Sequence, residues 1–362
     1  MRLMDESQTA FFKSLLAAPG PSGFEAKPAR VWRDEAARHG AEVRSDHYGN
    51  AFAAFAGHPS HGGGRPRVML AGHIDEIGLI VTYVSDEGLL HFKGIGGWDS
   101  QQLVGQRVRV VGYRAELMGV IGKKPIHLIS PDDRKKVSKL EDLWIDIGAR
   151  DAKEAKEHVR IGDYAVIEGP YLELLNGRVV SKAVDNRIGA YIVLEAARRA
   201  KAGSKTGAEV VAVATVQEEI GGVGAYTASF GLQPDVAVAV DVTHATDQPG
   251  VDKKQEGDSP LGSGPVITLG AYAQRAVADR LIRVAEEGGI PYTLSAAPSR
   301  TGTDADAIAR NHSGVPTGVV SIPNRYMHSA NEMIDLQDLE NVVGLLASFC
   351  DSLDEGTTFR LD

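Results

Sequence analysis

The chain has 362 residues, 43% hydrophobic and 24% charged, a globular balance that excludes a disordered or fibrous chain. Acidic residues outnumber basic ones by 48 to 39, and the net charge of −9 argues against nucleic acid or an anionic membrane as partner. The single cysteine, Cys350, excludes an intramolecular disulfide, a thiolate zinc finger and an iron–sulfur cluster.

A length of this order points to two domains, or three, at roughly 150 residues each. Asp5 and Glu6 come too early for a signal peptide. No run of about 18 apolar residues is present, so the expected location is the cytoplasm.

In chain order, Thr9 to Ala18 predicts an amphipathic helix stopped by Pro19-Gly20-Pro21, and Glu25 to His39 predicts a second. Residues 57–66 are rich in Gly, Pro and His and read as a loop, with His58 and His61 as solvated side chains rather than ligands. Val68 to His73 has the length and apolar content of a buried strand, and Val210 to Val216, Val236 to Val240 and Thr317 to Ser321 repeat that pattern. Helical spacing occupies Arg187 to Ala200, Arg275 to Glu287 and Leu336 to about Leu353, the last with Asp335 as N-cap and Asp338 three residues on. Strands alternating with helices imply an α/β fold with a mixed, largely parallel sheet flanked by helices. Residues 76–175 differ: short alternating runs, such as Val104 to Val111 and Val159 to Ile167, are broken by glycines. They predict a small inserted β-barrel-like domain. The expected division is 1–73 with 176–362 as one discontinuous domain and 74–175 as the insert.

Open α/β sheets bind ligands beyond the carboxyl ends of their strands. The apolar runs here are succeeded by His73-Ile-Asp75, Glu218-Glu219, Asp241 and a segment reaching His328, while Asp185 precedes a helix. Singly, such residues are caps or solvated side chains. Jointly they form a nitrogen and oxygen donor set suited to zinc, cobalt or manganese. Two histidines with Asp185, Glu219 and Asp241 suit two divalent ions roughly 3.5–4 Å apart, one carboxylate bridging. Adjacent strand residues face opposite ways, so Glu218 is expected to leave the ligand set and serve as general base. Asp75 is expected to accept the second ring N–H of His73.

The segments APGPSGFE (18–25), AGHIDEIGLIV (71–81), HLISPDDRKKV (127–137), LWIDIGA (143–149), KAVDNRIGA (182–190), VQEEIGGVGA (216–225), DVTHATD (241–247), TGTDADAI (301–308) and RYMHSANE (325–332) span almost the whole chain. In them the sequence resembles the TET-type metallo-aminopeptidases, which include glutamyl and deblocking aminopeptidases and proteins once labelled endoglucanase M. The resemblance implies His73, Asp185 and Asp241 on one metal, and Asp185, Glu219 and His328 on the other. It also implies Glu218 as general base and acid, a cis peptide at Asp185–Asn186, and Thr303 and Asp304 lining the pocket. Its implied substrates are short peptides with a free N-terminus, and its implied assembly is a homo-oligomer, a tetrahedral dodecamer. The long gap from His73 to Asp185, with no comparable insert between Asp241 and His328, favours this family within the wider clan. Ser329-Ala-Asn-Glu332 departs from the usual Pro-Val between Ser and Glu.

Two further readings stand beside it. A glycoside hydrolase would use Glu218 and Asp241 as its carboxylate pair, but leaves His73, His328 and Asp185 without a role. An inactive scaffold of the same fold would leave the full residue set without one. Arg325 and Tyr326 either touch substrate or brace the loop before His328. His244 and Asp247 read as a solvated loop, Ser263-Gly-Pro as a turn, Lys135-Lys136 as an exposed pair, and Gly221-Gly-Val-Gly224 as close helix packing rather than a dinucleotide fingerprint.

Overall fold

The structure, a computed structural model, describes residues 4–55, 66–203 and 207–359; His58 and His61 lie outside the described residues. The first strands are β1 (Ala41–Ser45), β2 (Ala51–Phe55) and β3 (Arg67–His73). Six more, β4 (Gly78–Val84), β5 (Leu90–Ile95), β6 (Arg107–Val111), β7 (Glu116–Lys123), β8 (Leu143–Asp146) and β9 (Tyr164–Ile167), close into a barrel in the order β4-β5-β8-β7-β6-β9. Then come β10 (Leu172–Glu173), β11 (Arg178–Ser181), β12 (Glu209–Thr215), β13 (Val236–His244), β14 (Val266–Gly270), β15 (Thr293–Ala297), β16 (Thr317–Asn324) and β17 (Glu332–Asp335).

Eight strands form one mixed sheet, ordered β1-β2-β12-β3-β13-β16-β14-β15. Its centre, β12-β3-β13-β16, is parallel throughout. These strands are apolar at nearly every position because both faces are covered. Val68 and Leu70 face the core shared with helices Val184–Gly203 and Leu336–Asp351, whereas Met69 and Ala71 face the core beneath helix Val223–Leu232. Gly72 lets β3 reach the first of these helices, since a Cβ there would collide with the carbonyl carbon of Gly189.

The fold is therefore the expected α/β sheet with a barrel inserted after β3. The barrel has its own core, built on Leu79, Leu90, Val108, Val110, Ile121 and Ile145 among others. Several boundaries differ from the expectation. The strand expected over Val159 to Ile167 begins at Tyr164, because Val159 caps helix Ala152–His158 and Asp163 accepts the backbone N–H of Arg160 in the intervening turn. β13 and β16 run three residues or more past their apolar cores, to His244 and Asn324, because their parallel pairing continues through polar residues that remain largely buried. The helix Leu336–Asp351 is capped by Asp335, but the Asp338 side chain turns away and accepts the N–H groups of Gly262 and Gly264, both at 2.7 Å. Gly224 supports the close-packing reading, since a Cβ there would overlap the Val216 carbonyl oxygen. Among the described residues no helix is long and apolar enough to cross a membrane.

Candidate metal centre

The site sits beyond the carboxyl ends of the central parallel strands. His73 is the last residue of β3, level with Thr215 of β12. Asp241 lies within β13, opposite Ser321 of β16. Asp185 and Asn186 have non-helical backbones at the head of helix Val184–Gly203, and the peptide joining them is cis, as the resemblance implies. His328 comes four residues after the end of β16, in a left-handed conformation at φ 59°.

Two groups of ligand-type atoms result, each with all its atoms within 4.8 Å of one another: His73, Asp185 and Asp241, and Asp185, Glu219 and His328. Asp185 belongs to both. Its Oδ1 lies 3.2 Å from His73 Nε2 and its Oδ2 lies 3.4 Å from His328 Nε2. Glu219 Oε2 is 3.4 Å from His328 Nε2, and Asp241 Oδ1 is 3.7 Å from His73 Nε2. Glu218 stands beside them, its Oε2 3.8 Å from His73 Nε2.

Glu218 and Glu219 do not diverge by strand alternation as expected. β12 ends at Thr215, and Gln217, at φ 58°, turns the chain before they arrive. Asp75 organises this turn. Its carboxylate accepts the backbone N–H groups of Glu218 at 3.1 Å and Glu219 at 3.2 Å, and the Ser22 hydroxyl at 2.6 Å. With those three donors on it, Asp75 approaches His73 Nδ1 only to 3.4 Å, too long for the strong ring contact expected. His328 is oriented from the other side. Its Nδ1 lies 2.8 Å from the Gly97 carbonyl oxygen at the barrel's rim. A carbonyl only accepts, so Nδ1 keeps its proton, and Nε2, which faces Asp185 and Glu219, is the nitrogen free to ligate a metal once its own proton is lost.

Electrostatics describe a site crowded with negative charge. Burial, and then the charges of Asp241, Asp304 and Glu219, push the Glu218 carboxyl up to about 10 despite His73. Burial and Asp185 raise Glu219 to about 7, and burial raises Asp241. Burial opposes the charge on both imidazoles, yet Asp241 and Asp185 hold His73 well above its ordinary range, and Asp185 and Glu219 hold His328 at about 11. Asp185 shows the converse: although burial opposes ionisation, the two imidazoles hold it well below the usual carboxylate range. Protons are retained here because nothing else neutralises the carboxylates, which is the setting a divalent cation relieves. Glu219 Oε1 is buried with no hydrogen-bond partner among the described residues, an orphaned acceptor that fits a cation site.

The remaining sequence candidates separate. Thr303 and Asp304 are buried, 8% and 2% exposed, and the charge of Asp304 acts on Glu218. The Thr215 hydroxyl donates to Asp304 Oδ2, and burial raises its carboxyl to about 7. The Arg325 guanidinium is bidentate to Asp247, at 3.1 and 2.5 Å, so Asp247 is not the free loop residue expected. Tyr326 is half exposed beside the site. His244 is exposed. Ala330, within the departing motif, packs into the barrel core.

Three features escaped the sequence. The Gly97 carbonyl is a backbone group without a side-chain signature. Glu76 accepts from Lys182 at 2.7 Å, Arg187 at 3.1 Å and the Gly20 N–H at 3.1 Å, tying three distant segments together. Glu332 accepts the backbone N–H groups of Asp185 and His328. Strand alternation was the available signal for Glu332, because it shares a face of β17 with the buried Ile334.

Residues 49–345 match the M42 glutamyl aminopeptidase family. A lysyl aminopeptidase of Pyrococcus furiosus is 35% identical, with 94% of this chain and 96% of that protein covered. A TET aminopeptidase from the marine sediment archaeon Thaumarchaeota archaeon SCGC AB-539-E09 superposes with a TM-score of 0.91 at 37% identity, covering 96% and 97% of the two chains. The Pyrococcus horikoshii TET1 peptidase, described as assembling into a tetrahedron or a large octahedral shell, gives a TM-score of 0.79 at 33% identity over 94% of this chain and 98% of that one. A Thermotoga maritima structure named endoglucanase gives 0.75 at 30% identity over 95% and 97%. With the family match spanning most of the chain and these relatives covering nearly all of it, this chain belongs to the M42 glutamyl aminopeptidase family.

Proposed function

We propose that the protein is an aminopeptidase that removes N-terminal residues from short peptides through two divalent metal ions, zinc or cobalt first and manganese as an alternative. The observation that carries this reading is the carboxylate of Asp185, whose two oxygens belong to two different ligand groups. His73 and Asp241 would complete one group, and Glu219 and His328 the other. Such ions, when bound, supply Lewis-acid polarisation of a carbonyl and a water acidic enough to yield hydroxide near neutral pH.

The chain's own residues do the rest. Glu218, beside both groups and outside them, takes the proton of the attacking water and passes it to the leaving amine. Asp75 holds the turn that aims Glu218 and Glu219 in different directions. Arg325, locked on Asp247, fixes the loop that delivers His328 and presents Tyr326 to the cleft.

The same reading takes 1–73 with 176–362 as the catalytic unit and 74–175 as the insert, supported by the barrel's separate core. It extends to self-assembly as a tetrahedral dodecamer, supported by the similarity to a TET peptidase described as forming a tetrahedron. Light scattering that shows a stable monomer rejects the assembly. The activity test is hydrolysis of a panel of aminoacyl-anilides, abolished by a chelator and restored by Zn²⁺, Co²⁺ or Mn²⁺, with carboxymethyl-cellulose as control. Undiminished turnover after chelation, or sugar release without anilide cleavage, overturns it. The glycosidase reading assigns no work to His73 or His328, although they meet the same carboxylate.

A further inference from the structure

Glu332 is almost wholly buried, 2% exposed, at the start of β17. Its two oxygens are spent on two backbone donors. Oε2 accepts from Asp185 N at 2.9 Å and Oε1 accepts from His328 N at 2.8 Å. Those donors belong to residues in both ligand groups. The strand pairing explains how one carboxylate reaches both. Ser181 of β11, four residues before Asp185, is level with Glu332, and Arg325, three residues before His328, bridges to Met333. Residue 332 is thus where the two ligand-bearing segments converge.

We propose that Glu332 is a positioning residue that fixes the bridging aspartate and the second histidine in one register, and so sets the affinity of the ion held by Asp185, Glu219 and His328. The inference rests on the two-metal reading of the site. Only a glutamate fits the geometry. Glutamine keeps the length but replaces one acceptor by an NH₂ donor facing an N–H. Aspartate keeps the charge but draws both oxygens back by about one C–C bond, roughly 1.5 Å. The group containing His328 has two of its three ligands clamped, and the group containing His73 and Asp241 has one. Loss of the clamp therefore falls unequally on the two ions.

The test is Co²⁺ titration of the intact protein and of Glu332→Gln and Glu332→Asp, read by calorimetry and visible absorption, with near-ultraviolet circular dichroism to establish folding. The native protein takes up two equivalents. In a folded Glu332→Gln, one equivalent binds roughly 10–100-fold more weakly while the other changes less, and Glu332→Asp behaves alike. Two equivalents at native affinity in either folded variant, or equal weakening of both, overturns the proposal while leaving the two-metal reading intact. If neither variant folds, the role is structural and the proposal fails. A native protein that binds no Co²⁺ overturns the two-metal reading first and this inference with it.

Discussion

At the scale of single residues, the acidic and imidazole groups of the centre divide by what surrounds them. Burial and neighbouring charge hold the Glu218 carboxyl up at about 10, so it carries its proton at neutral pH in the metal-free protein, and the positive charge of the proposed ions would lower it and free it to act as base. Glu218→Gln preserves shape and the ligand set, so metal content by elemental analysis should match the native protein while kcat falls roughly 10²–10⁴-fold. Near-normal turnover with full metal content removes Glu218 from the chemistry. The two histidines make a second prediction. Burial opposes their charge, but adjacent carboxylates hold both protonated at neutral pH in the metal-free protein, His328 up to about 11. Ligation needs the neutral ring, so Zn²⁺ uptake at pH 7 releases protons, and heats of binding should differ between phosphate and Tris in proportion to buffer protonation enthalpy. Equal heats reject this. The same raised value sets the sign for stability. The charged ring's contribution is complete below about 6.5 and is lost as pH rises through about 11, so the metal-free form weakens on the alkaline side. The ligands were legible in the sequence because each polar group interrupts or succeeds a run too apolar to tolerate it. The contacts of Asp75 were not, because hydrogen bonds to the backbone of residues more than 140 positions away leave no local pattern.

At the scale of elements, the parallel centre of the sheet was legible from four apolar runs, since burial on both faces removes the alternation that marks a one-sided strand. The segments beyond it were less so. The turn carrying Glu218 and Glu219 depends on the left-handed backbone of Gln217, a conformation that glutamine does not advertise. Asp338, at a capping-box position, serves instead two glycine N–H groups from a distant loop. The contact of β3 with helix Val184–Gly203 is where a small change is felt most. Gly72→Ala would drive a methyl into backbone of the helix that carries Asp185 at its head. Overpacking of this kind destabilises by about 1–3 kcal/mol or more, read as a lower midpoint of urea unfolding. Because helix and strand carry Asp185 and His73, activity should fall in the folded fraction as well. An unchanged midpoint shows that the two elements are less tightly apposed than the Gly72–Gly189 approach requires.

At the scale of the molecule, the inserted barrel was legible as a composition change near residue 76, but the contacts that reach His328 and Ala330 across its seam were not, because they are made by backbone and a small residue. Ala330 reaches into the barrel core, and the Gly97 carbonyl reaches out of the barrel to His328. Trp98 steadies that rim, its indole N–H donating to the Gly78 carbonyl at 2.7 Å. Trp98→Phe removes this bond without emptying the site, so Zn²⁺ affinity should fall about tenfold with little change in melting temperature. Unaltered affinity would detach the barrel from the centre. The seam also gives the fold a mechanical property. One imidazole is anchored by the barrel while its chain belongs to the sheet domain, so any displacement of the barrel against the sheet would displace that ring. A change that shifts this rim would therefore register in metal affinity before it registered in resistance to heat.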